Sequence, residues 1–302
     1  MLSRRNVRIK IMQVLYAAQR QEIASPKAYD SLLMSMVRNT FKLYLQNLLI
    51  LQRVAEYAKH DQATRRAKLR PTAEDKAFKS TLADNQNVRS LSDNTELSRV
   101  YEEYGVRAMI DADQVQRLYR DFSKTEEHQA YQDIDAPTPA DHVDILLKLY
   151  KFLQKQELFL NMVEDHFPLW KEDKSLVIGA IKKTIKATPL EQDFYRAYQT
   201  NSEAVTDFGR PLLQFVVETD DVLLERIKPV LQNWDADRVA IVDMILLKMA
   251  VGEFTQFPAI AAEVTINEYV DISKSYSTDK SREFINGVLD NLRKQLEVEG
   301  LI

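Results

Sequence analysis

Arg4, Arg5 and Arg8 open the stretch "SRRNVRIKIMQVLYAAQ", and Tyr16 follows two helical turns later. At about 100° per residue, Arg4, Arg5, Arg8, Met12, Tyr16 and Gln19 share one helix face, beside an apolar stripe of Val7, Ile11, Val14, Leu15 and Ala18. Ser3 is placed to cap this helix. Cations in a first turn oppose the helix dipole, each at a cost of up to about 1 kcal/mol, so folding alone does not account for the cluster. Phosphate recognition does: guanidinium groups take phosphate oxygens in pairs, and a tyrosine stacks on an unpaired base. Two other readings of the same residues stand beside it. The arginines keep the terminus soluble, or, with no acidic residue before Glu22, they mark a transit peptide. Scarce serine and a core-like stripe count against the transit peptide.

Residues for covalent or metal chemistry are sparse. Cysteine is absent, which excludes disulfides, thiolate nucleophiles and zinc–thiolate sites. His60, His128, His142 and His166 are scattered without HExxH spacing. The six glycines form no dinucleotide loop or P-loop, and no GxSxG elbow occurs. The acidic pairs Asp111/Asp113, Asp133/Asp135 and Asp235/Asp237 each lie near an expected helix start, where aspartate satisfies free amides. The residues argue for binding rather than catalysis, with no cofactor and no metal.

Charge is distributed unevenly. Residues 1–71 hold 14 Lys/Arg against 4 Asp/Glu, a net +10, and residues 72–302 hold 27 against 41, a net −14. A basic head on an acidic body points to a polyanion partner, or to a solvated face neutralised by that body. No apolar run approaches the roughly 18 residues of a membrane span. The lack of cysteine fits a reducing, cytoplasmic setting.

The elements that must position these residues read as helices throughout, so the class is all-α, as packed bundles. Helices are expected at about 28–59, 107–130, 141–165, 173–187, 189–199, 203–231, 235–255, 258–275 and 279–298, with Asp141 able to cap the third. Residues 72–100 are polar and weakly patterned. "DRVAIVDMILLKMAVGEF" is apolar on most of its circumference and belongs at the centre of its bundle. Asp243 interrupts it, either on a narrow wet strip or presented to a partner. In "INEYVDISKSYSTDKSREFINGVLDNL", Gly287 sits inside a helix at a cost of about 1 kcal/mol against alanine. The expectation is that Gly287 lets the last helix approach its neighbour, while Asn267 and Asn286 satisfy buried backbone groups at the crossing.

Two stretches together resemble the NusB family of bacterial transcription antitermination factors. "RRNVRIKIMQVLYAAQ" is similar to its arginine-rich first helix, and "TINEYVDISKSYSTDKSREFINGVLDNL" to its INE…FxNGVLD signature. "DFGRPLLQFVVETDDVLLERIKPVL" and "DMILLKMAVGEF" are similar to the helices that precede that signature. The resemblance implies an all-helical pair of bundles, here residues 1–200 with an enlarged middle region and residues 201–302. It implies binding of boxA RNA in ribosomal RNA leaders, pairing with the ribosomal protein NusE, and action on RNA polymerase, without enzymatic activity. Carried onto this chain, it implies RNA-facing Arg4, Arg5, Arg8, Tyr16, Lys280 and Phe284, and partner-facing Asp243 and Glu253. Asn6 stands where the family often has another arginine, and residues 60–190 exceed what a compact first bundle needs. Arg65, Arg66, Lys68 and Arg70 either enlarge the RNA surface or decorate a loop. Two alternatives remain: a NusB-like module targeting another RNA, such as ribosomal RNA during modification or assembly, and a protein–protein scaffold that has lost RNA binding.

Overall fold

The computed structural model describes residues 2–21, 25–187, 189–199, 203–231 and 239–302. Fifteen α-helices and no strand occur among them: α1 (Arg4–Gln21), α2 (Pro26–Arg66), α3 (Ala73–Ala77), α4 (Gln86–Ser92), α5 (Thr95–Glu103), α6 (Ala112–Phe122), α7 (Glu126–Gln132), α8 (Pro139–Leu153), α9 (Glu157–Glu164), α10 (Trp170–Lys186), α11 (Arg210–Glu218), α12 (Asp220–Ile227), α13 (Ile241–Gln256), α14 (Ala262–Tyr276) and α15 (Ser281–Val298). The all-α expectation holds.

The chain forms two compact units, and the division corrects the expected 1–200/201–302 partition. Residues Leu2–Val37 cluster with Thr200–Ile302, while Arg38–Gln199 form a unit of their own. The physical reason is the apolar stripe of α1. Val7, Ile11, Val14, Leu15 and Ala18 are buried, and α1 packs on α13 and on the π-helical turn Ala204–Gly209. The first unit is therefore discontinuous in sequence, and the second is a single central segment.

The central unit is built around α2, whose residues from Phe41 to Ala58 are mostly buried. Several of its buried polar groups find partners. Thr40 donates to Asp173 (2.6 Å), Gln46 Nε2 to the Met162 carbonyl (2.9 Å), and Tyr150 to Asn47 Oδ1 (3.0 Å). Where single helices are expected at 107–130 and 141–165, each is broken. A 3-10 turn precedes α6, Thr125 caps α7, and a short connection separates α8 from α9. The weakly patterned stretch 72–100 holds α3, α4 and α5, each with a side-chain cap from Thr72, Asn85 or Asn94. Asp111 caps α6, as expected of the acidic pairs, but α8 is capped by Thr138 with Asp141 closing the box from its third residue. Asp235 and Asp237 lie outside the described residues.

In the discontinuous unit, α13 is the hub. It contacts α1, α11, α12, α14 and α15, and Ile245–Phe254 are all buried. Two glycines permit close approach in this unit, Gly209 beside α1 and Gly252 between α13 and α11. A Cβ on Gly209 would fall on Val7 Cγ1, and one on Gly252 would lie 3.2–3.3 Å from Phe215, Leu212 and Val216. Gly287 does not have this role. A Cβ there meets nothing within 4 Å, and Gly287, Asn286 and Asn267 are all exposed. This overturns the expected packing function of the three. Their apolar sequence neighbours point elsewhere, because adjacent helical residues diverge by about 100°.

Candidate nucleic-acid interface

Ser3 and Asn6 fix the start of α1. Ser3 Oγ accepts from the Asn6 amide (3.3 Å), and Asn6 Oδ1 accepts from the Ser3 amide (3.1 Å) and hydroxyl (2.6 Å). This is a capping box in which asparagine stands for the usual glutamate or glutamine. Asn6 thus has a structural task that an arginine does not perform.

The three arginines meet three fates. Arg4 is exposed and has no ion pair among the described residues; its guanidinium lies 5.7 Å from the Phe208 ring centroid. Arg5 is part-exposed and lies 3.3 Å from Asp271 and 3.7 Å from Glu268 on α14. Arg8 is only 3% exposed, which removes it from the expected RNA-facing set. Its Nε and Nη2 donate to the two oxygens of Glu253 at 2.8 and 2.5 Å, and its guanidinium lies 4.9 Å from the Phe208 ring centroid. Burial works against its charge, but Glu253, Tyr269 and Glu268 outweigh burial and hold the guanidinium above its ordinary pKa. The signal was present in the sequence. Leu15 lies seven residues beyond Arg8, roughly 20° away around the helix, so Arg8 borders the apolar stripe.

Glu253 is the other half of this lock and is fully buried, which corrects its expected partner-facing role. Besides Arg8, it accepts from Thr265 (2.8 Å) and Tyr269 (3.0 Å). Four hydrogen bonds on one carboxylate join α1, α13 and α14, the condition under which a buried charge is tolerated. Burial and then Glu253 push the Tyr269 phenol well above its ordinary pKa, so it remains a donor.

Asp243 is likewise inward-facing, at 4% exposure, and is neither on a wet strip nor presented to a partner. It sits in the first turn of α13, where the helix dipole favours a carboxylate. Its Oδ2 accepts from Ser281 (2.6 Å), and Oδ1 has no hydrogen bond among the described residues. Ser281 in turn lies 2.8 and 2.9 Å from the hydroxyls of Thr278 and Ser277. Asp243 therefore braces the α14–α15 turn. On that turn Lys280 is exposed, Phe284 is half-buried, and Arg282, which the sequence reading passed over, is exposed beside them. Tyr16 is 37% exposed, with the Arg20 guanidinium 5.5 Å from its ring centroid. The groups left facing solvent are Arg4, part of Arg5, Tyr16, Lys280, Arg282 and Phe284.

A sequence profile of the NusB family matches residues 171–294. Proteins described as transcription antitermination protein NusB from Bacillus thuringiensis (strain Al Hakam) and Bacillus cereus (strain AH187) are each 38% identical to this chain over 94 residues. That is 31% of this chain and 72% of either relative. The chain belongs to the NusB family. It is a long form, in which the central unit separates α1 from the C-terminal signature. The NusB profile begins inside α10 and leaves α1 outside its range, yet α1 packs on the NusB signature helices through Arg8 and Glu253. No solved structure matches the chain significantly. No helix among the described residues is long and apolar enough to cross a membrane.

Proposed function

We propose that this protein is a cytoplasmic, non-enzymatic transcription antitermination factor that binds boxA-type single-stranded RNA and pairs with the ribosomal protein NusE. On this reading it acts within the RNA polymerase antitermination complex. The observation that carries it is the identity to NusB proteins across 72% of their length. The RNA surface it assigns consists of Arg4, Arg5, Tyr16, Lys280 and Phe284, with Arg282 added. Arg8, Glu253 and Asp243 hold that surface in shape. The test is anisotropy of a labelled boxA RNA titrated with the full chain over a range of salt. Each phosphate contact on a single strand contributes about −0.7 to the log–log slope, so R4A/K280A flattens the slope by about 1.4. An unchanged slope rejects the surface.

One observation favours a second reading, a scaffold without RNA binding: of Arg4, Arg5 and Arg8, two have carboxylate partners within the fold. On that reading NusE is captured normally, while boxA and unrelated single strands both fail to bind at physiological salt.

A further inference from the structure

The central unit carries a charged feature that its packing does not explain. Past the end of α2 the chain folds back on the helix. Gln62 Nε2 donates to the Phe78 carbonyl (3.0 Å), and the Arg65 guanidinium stacks 4.3 Å from the Phe78 ring centroid. Thr72 and Asp75 form a reciprocal capping box at the start of α3. The tip is thus held in one conformation. Its nearest acids are used internally, Asp61 by Arg65 (3.0 Å) and Asp75 by Lys68 (2.6 Å).

Four cations remain on the outside. Arg66, Arg70, Lys76 and Lys79 are exposed, and none has a carboxylate partner among the described residues. Exposed Glu74 is the only other acidic residue in the fold-back segment, and Leu69, between Lys68 and Arg70, is 99% exposed. Like charges gathered on a fixed tip repel one another, so the cluster costs stability unless an anion meets it.

We propose that this tip is a second RNA contact, made by Arg66, Arg70, Lys76 and Lys79 to backbone phosphates. Guanidinium groups suit paired phosphate oxygens, and the two lysines supply point charges. A membrane surface fits less well, because one leucine is the sole exposed large apolar side chain on the tip. The choice of RNA as the polyanion rests on the function proposed for the discontinuous unit.

The test uses the full chain and a labelled single-stranded RNA, comparing wild type, R66A/R70A/K76A/K79A and R4A/K280A. Thermal unfolding of the tip variant should occur at or slightly above the wild-type temperature, since the replaced side chains make no internal ion pair and their mutual repulsion is relieved. The tip variant is expected to flatten the salt slope by about 3 and to weaken binding roughly tenfold or more at physiological salt. An unchanged slope and affinity overturn the proposal. If only the tip variant weakens binding, the tip stands and the α1/α15 surface fails; if only R4A/K280A does, the reverse holds. Sedimentation with anionic phospholipid vesicles provides the last arm. Loss of vesicle binding in the tip variant with RNA binding intact overturns the proposal in favour of a membrane contact.

Discussion

Arg8 and Glu253 are charged residues withdrawn from water, and each is tolerable only because of the other. Removing one partner strands the other charge in the core. Arg8→Ala is therefore expected to destabilise the protein by about 3–5 kcal/mol, read from urea unfolding, whereas Arg4→Ala should change it by less than about 0.5 kcal/mol. Gly287 gives the opposite sign. With open space at its Cβ position, Gly287→Ala should stabilise by up to about 1 kcal/mol, and a loss of stability would mean that Gly287 does pack against a neighbour. The family signature was legible in the residue string, but the burial of its members was not. Reading Asn267 and Asn286 as buried took sequence neighbours for spatial ones. Arg8 shows the converse, because its two-turn spacing from Leu15 already placed it against the core.

Helices were legible as a class, and their breaks were less so. The expected 107–130 and 141–165 segments are interrupted, the first where Thr125 caps α7 and the second by the short link 154–156, and at Thr125 local capping competes with an unbroken apolar period. Among these helices α7 offers a pH test. His128 is buried edge-on against Tyr119 and Phe122, and its Nε2 has no hydrogen-bond partner. Burial first, and Arg65 in smaller measure, lower its pKa from 6.5 to about 4 despite the opposing charge of Asp61. Between those values the unfolded chain binds more protons, so stability rises with pH there. The contribution is complete above pH 6.5 and is lost as pH falls toward 4, by about 3 kcal/mol at most. His128→Phe should show a shallower fall in Tm across that window than the wild type. At the α1 crossing, Gly209→Ala should cost about 1–3 kcal/mol, since Val7 must give way.

The whole molecule joins a NusB unit to a central unit of residues 38–199. The sequence showed that the middle was too long for a compact bundle. It did not show that α1 belongs with the far end of the chain, because no local pattern encodes a contact across that distance. Arg8 and Glu253 are 245 positions apart. At about 5–20 residues per second, the ribosome completes α1 roughly 12–50 s before it reaches Glu253. Until residues 204–256 follow, the greasy side of α1 lacks its native cover, and the whole central unit is synthesised within that interval. Nascent chains halted before Glu253 should thus present α1 to chaperones, and release of α1 should await the arrival of α13 and α14.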